Sequence, residues 1–133
     1  MTKHASGTFD VKVTPLASEF EAGSGLGRMF LDKQYHGDLE ATAKGEMLYA
    51  GGPAKGSGGG VAIEQVSGNL QGRSGSFVLQ HNSTMTPGAM HMTITVVPDS
   101  GTGQLAGLTG SLTIKIDNGK HSYELEYSLP DAP

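Results

Sequence analysis

A ten-residue phrase occurs twice in this chain. Residues 68–77, GNLQGRSGSF, and residues 103–112, GQLAGLTGSL, share the pattern G-x-L-x-G-x-x-G-S-apolar, the second starting 35 residues after the first. A worn third copy, Gly37-Asp38-Leu39-Glu40-Ala41, starts 31 residues before the first. Recurrence at this spacing reports a repeating structural unit. Alternating apolar and polar residues flank each copy, so the unit reads as strand, tight glycine turn, strand. Glycines in such a unit suit the bulges and turns of a strongly coiled sheet. The phrase therefore speaks to fold and not to chemistry.

The rest of the chain reads the same way. Residues 8–14 set Phe9, Val11 and Val13 against Asp10, Lys12 and Thr14, which predicts a strand that Pro15 ends. Residues 17–26 predict a connection with one helical turn at its start, residues 29–35 a second strand, residues 35–38 a turn or bulge, and residues 39–49 a third strand interrupted by Gly45. Residues 51–60, GGPAKGSGGG, predict a flexible loop, because glycine and serine at this density bury too little apolar area to offset backbone entropy. A phosphate-cradling loop fails there, since G-x-x-x-x-G-K-[S/T] is not matched and no helix follows. Further strands are predicted over residues 61–70, 76–85 and 89–97. A seventh starts near Gly103, turns at 107–110 and returns along 112–117; the last covers 123–129, after an Asn118-Gly119 pair suited to a type I′ turn.

No stretch of 11 residues carries a 3.6-residue apolar period, so the fold class is all-β. Eight or nine strands with short turns are best closed on themselves, because closure removes unpaired edges. The expectation is one domain over residues 1–133: a closed antiparallel β-barrel of about eight strands, with a β-sandwich as the alternative.

Composition removes several function classes. The net charge is −4 and no run of Lys or Arg occurs, which argues against nucleic acid and anionic membrane as partners. With no Cys there is no disulfide, zinc–thiolate site or cysteine nucleophile, and the chain suits a reducing compartment. The first residues lack the apolar core of a signal peptide, and no apolar run has membrane-spanning length, so a cytoplasmic location is expected. Of the five histidines, His36, His81, His91 and His121 lie on different strands and none forms an H-x-H or H-x-x-x-H pair, so neither metal nor other cofactor is expected.

Candidate site residues follow from alternation. His81 is in phase with Phe77 and Leu79, so it points with the apolar face, as a ligand-orienting or acid–base imidazole or as a satisfied core histidine. Glu64 is in phase with Ala62 and Val66. If it faces inward, burial makes it a proton donor or acceptor; if Val61, Ile63 and Gln65 face inward, it is a surface charge, and the pattern leaves both open. Tyr123 and Tyr127 share a face with Leu125 and Leu129, as core aromatics or cavity lining. His91 leads an H-x-T-x-T face that is a further candidate for the interior. Met85, Met90 and Met92 cluster at the Pro87-Gly88 turn, where adaptable side chains suit a cavity mouth or ordinary packing.

Residues 68–81, GNLQGRSGSFVLQH, with residues 101–129, GTGQLAGLTGSLTIKIDNGKHSYELEYSL, resemble the bacterial DUF3224 family, and the resemblance runs from Gly7-Thr8-Phe9-Asp10-Val11 to the last strand. The G-T-G-x-L-x-G-L-x-G block is also similar to a glycine-rich hairpin of plant allene oxide cyclases and, more faintly, of dirigent proteins. The resemblance implies an eight-stranded, calycin-like barrel, often homo-oligomeric, with an apolar cavity. It hands over no reaction, and no functional residue of the cyclases maps onto a matching motif here.

The expected function is therefore binding of a small, largely apolar ligand inside the barrel, with polar contacts from His81, Glu64, Tyr123, Tyr127 and His91. The alternative is a cofactor-independent cyclase or isomerase using Glu64 or His81 for a proton. A second alternative is an oligomeric structural subunit without a ligand.

Overall fold

Eight strands follow one another as an antiparallel meander: β1 (Lys3–Leu16), β2 (Leu26–Gly37), β3 (Leu39–Gly51), β4 (Gly58–Leu70), β5 (Arg73–Thr86), β6 (Ala89–Val96), β7 (Thr109–Asp117) and β8 (Lys120–Ser128). The computed structural model describes residues 2–21, 23–51 and 55–130. β8 pairs back onto β1 from Lys3 opposite Tyr127 to Phe9 opposite His121, and the sheet closes as a barrel. The sandwich alternative is thereby excluded. Among the described residues the only helical element is a 3-10 turn at Gly103–Leu105, and no helix is long and apolar enough to cross a membrane.

Closure divides each strand into an inner and an outer face by simple alternation. The inner positions supply the core, including Phe9, Tyr35, Val66, Phe77, Leu79, Ile94, Leu112, Tyr123 and Leu125. On β4 the inner set is Ala62, Glu64 and Val66, while Val61 and Ile63 are 51% and 56% exposed on the outside. That settles the face of this strand.

The barrel has a closed end and an open end. The repeated phrase builds the closed one. Its leucines, Leu39, Leu70 and Leu105, come from the β2–β3 turn, the β4–β5 turn and the β6–β7 connection, and each is at most 1% exposed, as is Leu108 beside them. In both full copies the third glycine lets backbones approach closely: a Cβ on Gly75 would overlap the Thr102 carbonyl of the β6–β7 connection, and one on Gly110 the Glu126 carbonyl of β8. The β6–β7 connection is tied along β5 by Thr102 N–H to Ser76 O (2.8 Å) and Ser74 N–H to the Gln104 Oε1 (2.8 Å).

Several local expectations are corrected. β1 begins at Lys3 and runs through Pro15 to Leu16, because β1 near Pro15 is paired only with β2 and a missing N–H on its other side costs no ladder bond. No helical turn follows it among the described residues. Gly45 does not interrupt β3: it sits opposite Glu64 in a continuous ladder, and a Cβ there would strike the Ile63 carbonyl. Within the expected loop at 51–60, residues 52–54 lie outside the described ones, but Gly58, Gly59 and Gly60 are strand, each held between β3 and β5. Two flanking ladders offset the backbone entropy that composition alone counts against them. Gly103 starts no strand; its φ of +58° opens the 3-10 turn that drops Leu105 into the closed end. Asn118 and Gly119, with φ of +51° and +76°, form the expected type I′ hairpin.

If the three phrase leucines seal the closed end together, Leu39→Ala, Leu70→Ala and Leu105→Ala each lose about 2–5 kcal/mol of stability. Urea unfolding monitored by circular dichroism measures this, with the outward, exposed Thr42→Ala as the reference that changes little. A near-neutral Leu105→Ala would show that the 3-10 turn is a surface appendage.

Candidate functional site

Three small inner residues of β3, Ala41, Ala43 and Gly45, leave space over the middle of that strand. Lys33 on β2 lies opposite Ala43, and Glu64 on β4 lies opposite Gly45. With no bulky side chain between them, the two long side chains meet across β3: Lys33 Nζ is 3.0 Å from the Glu64 Oε2, and the pair is 6% and 0% exposed. His81 on β5 completes the group, its Nε2 2.7 Å from the same oxygen. The Tyr35 hydroxyl donates to the other oxygen, Oε1. Lys33 also sits over the Phe9 ring, 5.0 Å from its centroid.

Electrostatics explain why such a group survives burial. Burial by itself raises the Glu64 carboxyl, since desolvation disfavours the anion. The hydrogen bond from His81, the charge of Lys33 and the Tyr35 hydroxyl outweigh it and hold the carboxyl below its ordinary value. Tyr35 is pushed strongly upward, first by burial and then by the Glu64 charge, so its proton stays in place. The Lys33 ammonium and the Glu64 carboxylate offset each other's charge. With Nε2 donating to the Glu64 carboxylate, Nδ1 is the ring nitrogen left without a partner in the cluster.

Beside this cluster the open half of the barrel keeps a cavity of about 180 Å³, with Lys33, His81, Ser83 and His121 as its polar lining and Phe9, Leu31, Met47, Met92 and Ile114 among its apolar walls. It adjoins a hollow of about 340 Å³ at the mouth, where Met29, Met47, Tyr49, Met85, Met90 and Met92 gather. The wall over the cavity is incomplete. β6 and β7 pair only at Ile94 with Leu112 and Thr95 with Ser111, whereas β4 and β5 pair along thirteen positions from Gly58 with Met85 to Leu70 with Arg73.

The sequence-level candidates divide accordingly. Glu64 and His81 are brought together. Tyr123 is inward but its hydroxyl turns to the closed end, accepting from Leu39 N–H at 2.9 Å and donating to the His36 carbonyl at 3.0 Å. Its ring meets Tyr35 edge-on at 5.5 Å, yet it lines no cavity next to His81. Tyr127 likewise bonds Gln71 at the closed end. His91 is exposed on the outer face, opposite Thr84, because the inner positions of β6 are Met92, Ile94 and Val96. Lys33, Tyr35 and His121 were missed by sequence reasoning. Alternation already carried a signal for the first two: Lys33 is in phase with Leu31 and Tyr35. Among the described residues no three His, Asp or Glu side chains are grouped as metal ligands.

The ionised Glu64 has a signature in acid. Its folded value is lowered, so its contribution to stability is complete above the unfolded carboxyl's ~4.3 and is lost as pH falls below that through the folded value. Urea titrations between pH 7 and pH 3 therefore show a steeper acid loss for the wild type than for Glu64→Gln. Identical slopes would mean that Glu64 is not held ionised.

Comparison with known proteins agrees with this architecture. Residues 5–127 match the family described as "Protein of unknown function (DUF3224)". A crystal structure of a DUF3224 protein with unknown function from Shewanella oneidensis MR-1 is 48% identical, with a TM-score of 0.92, covering 98% of this chain and 100% of that one. No curated protein matches. On the match over residues 5–127, the chain belongs to the DUF3224 family.

Proposed function

We propose that the open half of the barrel binds a small, largely apolar molecule whose polar head rests against Lys33 and His81. The observation that carries this reading is the split interior. One half is sealed by leucines, while the other keeps a cavity with apolar walls and a charged but neutralised floor. Pockets of this make-up, apolar with a few convergent polar groups, are the usual setting for small ligands. The floor also favours one kind of head. Lys33 spends one N–H on Glu64 and has two more, so a neutral carbonyl of a ketone, ester or lactone accepts a bond from it without adding charge. A carboxylate would bury a further negative charge beside Glu64. Methionines at the mouth adapt to varied apolar shapes.

A second reading rests on the His81–Glu64 contact. A carboxylate-backed imidazole at a cavity wall can move a proton next to a carbonyl, which is the step a cyclase or isomerase of the expected kind requires. Its signature is deuterium exchange at the carbon beside the carbonyl of a bound ketone, faster with wild type than with His81→Ala.

Calorimetric titration with medium-chain lactones, methyl ketones and fatty acids tests the binding reading. Lactones or ketones bind the wild type and bind the charge-balanced double variant Lys33→Met, Glu64→Gln at least about tenfold more weakly, the size of one lost hydrogen bond in a dry site. Ala62→Phe, which fills the cavity, abolishes binding, and Tyr127→Phe at the closed end does not change it. No binding by any of these compounds, or equal binding to Ala62→Phe, overturns the reading.

A further inference from the structure

The exterior of the barrel is divided by charge. Outward positions of β1, β2, β3, β7 and β8 carry the charged residues of the wall, such as Asp10, Lys12, Lys44, Lys115, Glu124 and Glu126. Outward positions of β4, β5 and β6 carry no Asp, Glu, Lys or Arg. At the β3 edge of this face stand Val61 and Ile63, 51% and 56% exposed, with Leu48 of β3 directly opposite Val61 and 47% exposed, and Glu46 opposite Ile63. Gln65, Gln80, Asn82 and Thr95 surround them. A hollow of about 520 Å³ runs along the apolar centre, bordered by the Arg28–Glu46 ion pair, whose Nε–Oε1 distance is 2.7 Å.

We propose that this face docks a second copy of the chain, the two barrels lying side by side around Val61 and Ile63. Charge selects the partner. Each chain has a net charge of −4, so two copies repel unless they meet where neither carries charge. The β4–β6 face is such a place. Its polar side chains are amides and hydroxyls with the single imidazole of His91, groups that can donate and accept and so pair with their own kind across a two-fold axis. The charges that border it, Arg28 and Glu46, are already paired with each other, and a charge-depleted patch with an apolar centre is the composition of an interface core.

The area is adequate and not generous. Strands of 13, 14 and 8 residues, spaced about 4.8 Å apart, offer on the order of 600 Å² per partner, the lower end for a stable pair. An area at this lower end suits a reversible dimer, sought at dissociation constants of roughly micromolar to tens of micromolar.

Sedimentation velocity of the whole chain, from about 1 to 500 µM, spans that range. The wild type passes from monomer to dimer. Ile63→Asp moves the midpoint up at least about tenfold, and Glu124→Lys on the charged side leaves it within about twofold. Ile63 touches solvent and not the core, so its variants keep the wild-type circular dichroism; the milder Ile63→Thr shifts the midpoint in the same direction if the aspartate variant fails to fold. A wild type that stays monomeric throughout overturns the proposal, whatever vesicle or other protein the face then retains. So does a dimer indifferent to both Ile63 variants.

Discussion

Closure of the sheet between β1 and β8 is the constraint on which everything else in this molecule rests. Once Lys3–Phe9 are paired with Tyr127–His121, one face of every strand loses its route to bulk water at the closed half. Each inner side chain must then be apolar or be answered by another inner side chain. Lys33, Glu64, His81 and Tyr35 come from three strands of one contiguous patch, β2 to β5. The closed wall turns that patch inward, away from bulk water. The small inner residues of β3 make the meeting possible, since bulk at Ala43 or Gly45 would hold Lys33 and Glu64 apart.

The same closure gives the barrel its polarity. Turns at one end carry the phrase leucines inward, and the β6–β7 connection folds over that end to add Leu105 and Leu108. The other end has methionines and glycines in the corresponding places and a seam between β6 and β7 that is paired at only two positions. Stability is concentrated where the leucines are. The looser half lacks that packing, and local opening is least costly where few ladder bonds must break. A buried ion pair contributes little net stability compared with apolar packing of the same volume. Its presence on the floor of the looser half is thus better accounted for by what it offers the cavity than by what it adds to folding.

Much of the fold was legible in the sequence, for reasons of period and punctuation. Alternation of Phe77, Leu79 and His81 placed His81 inward, and Asn118-Gly119 named its hairpin. The glycine phrase announced a repeated strand turn, although it marks the end of the barrel opposite to the cavity. What escaped were features decided by neighbours in space. Gly58–Gly60 are strand because β3 and β5 flank them, and Gly103 opens a 3-10 turn because the closed end needs Leu105. Lys33 looked like an ordinary charge on a strand whose other face also carries an aromatic, Phe30. Its burial becomes sensible only with Glu64 in view, and nothing in the spacing of residues 33 and 64 says that they meet.

The unresolved face of residues 61–66 is the most informative of these cases. A strand with one face in the core and one in water alternates cleanly, and β4 does not: Ala62 and Val66 face in, Val61 and Ile63 face out. The sequence is ambiguous because both faces are apolar. Isolated apolar residues on a surface mean little. Here they are adjacent, at the edge of three strands whose outer faces lack any formal charge, on a chain that is charged elsewhere. Burial of one face by barrel closure explains half of the pattern. The other half calls for a second covering, and within one chain none is present among the described residues.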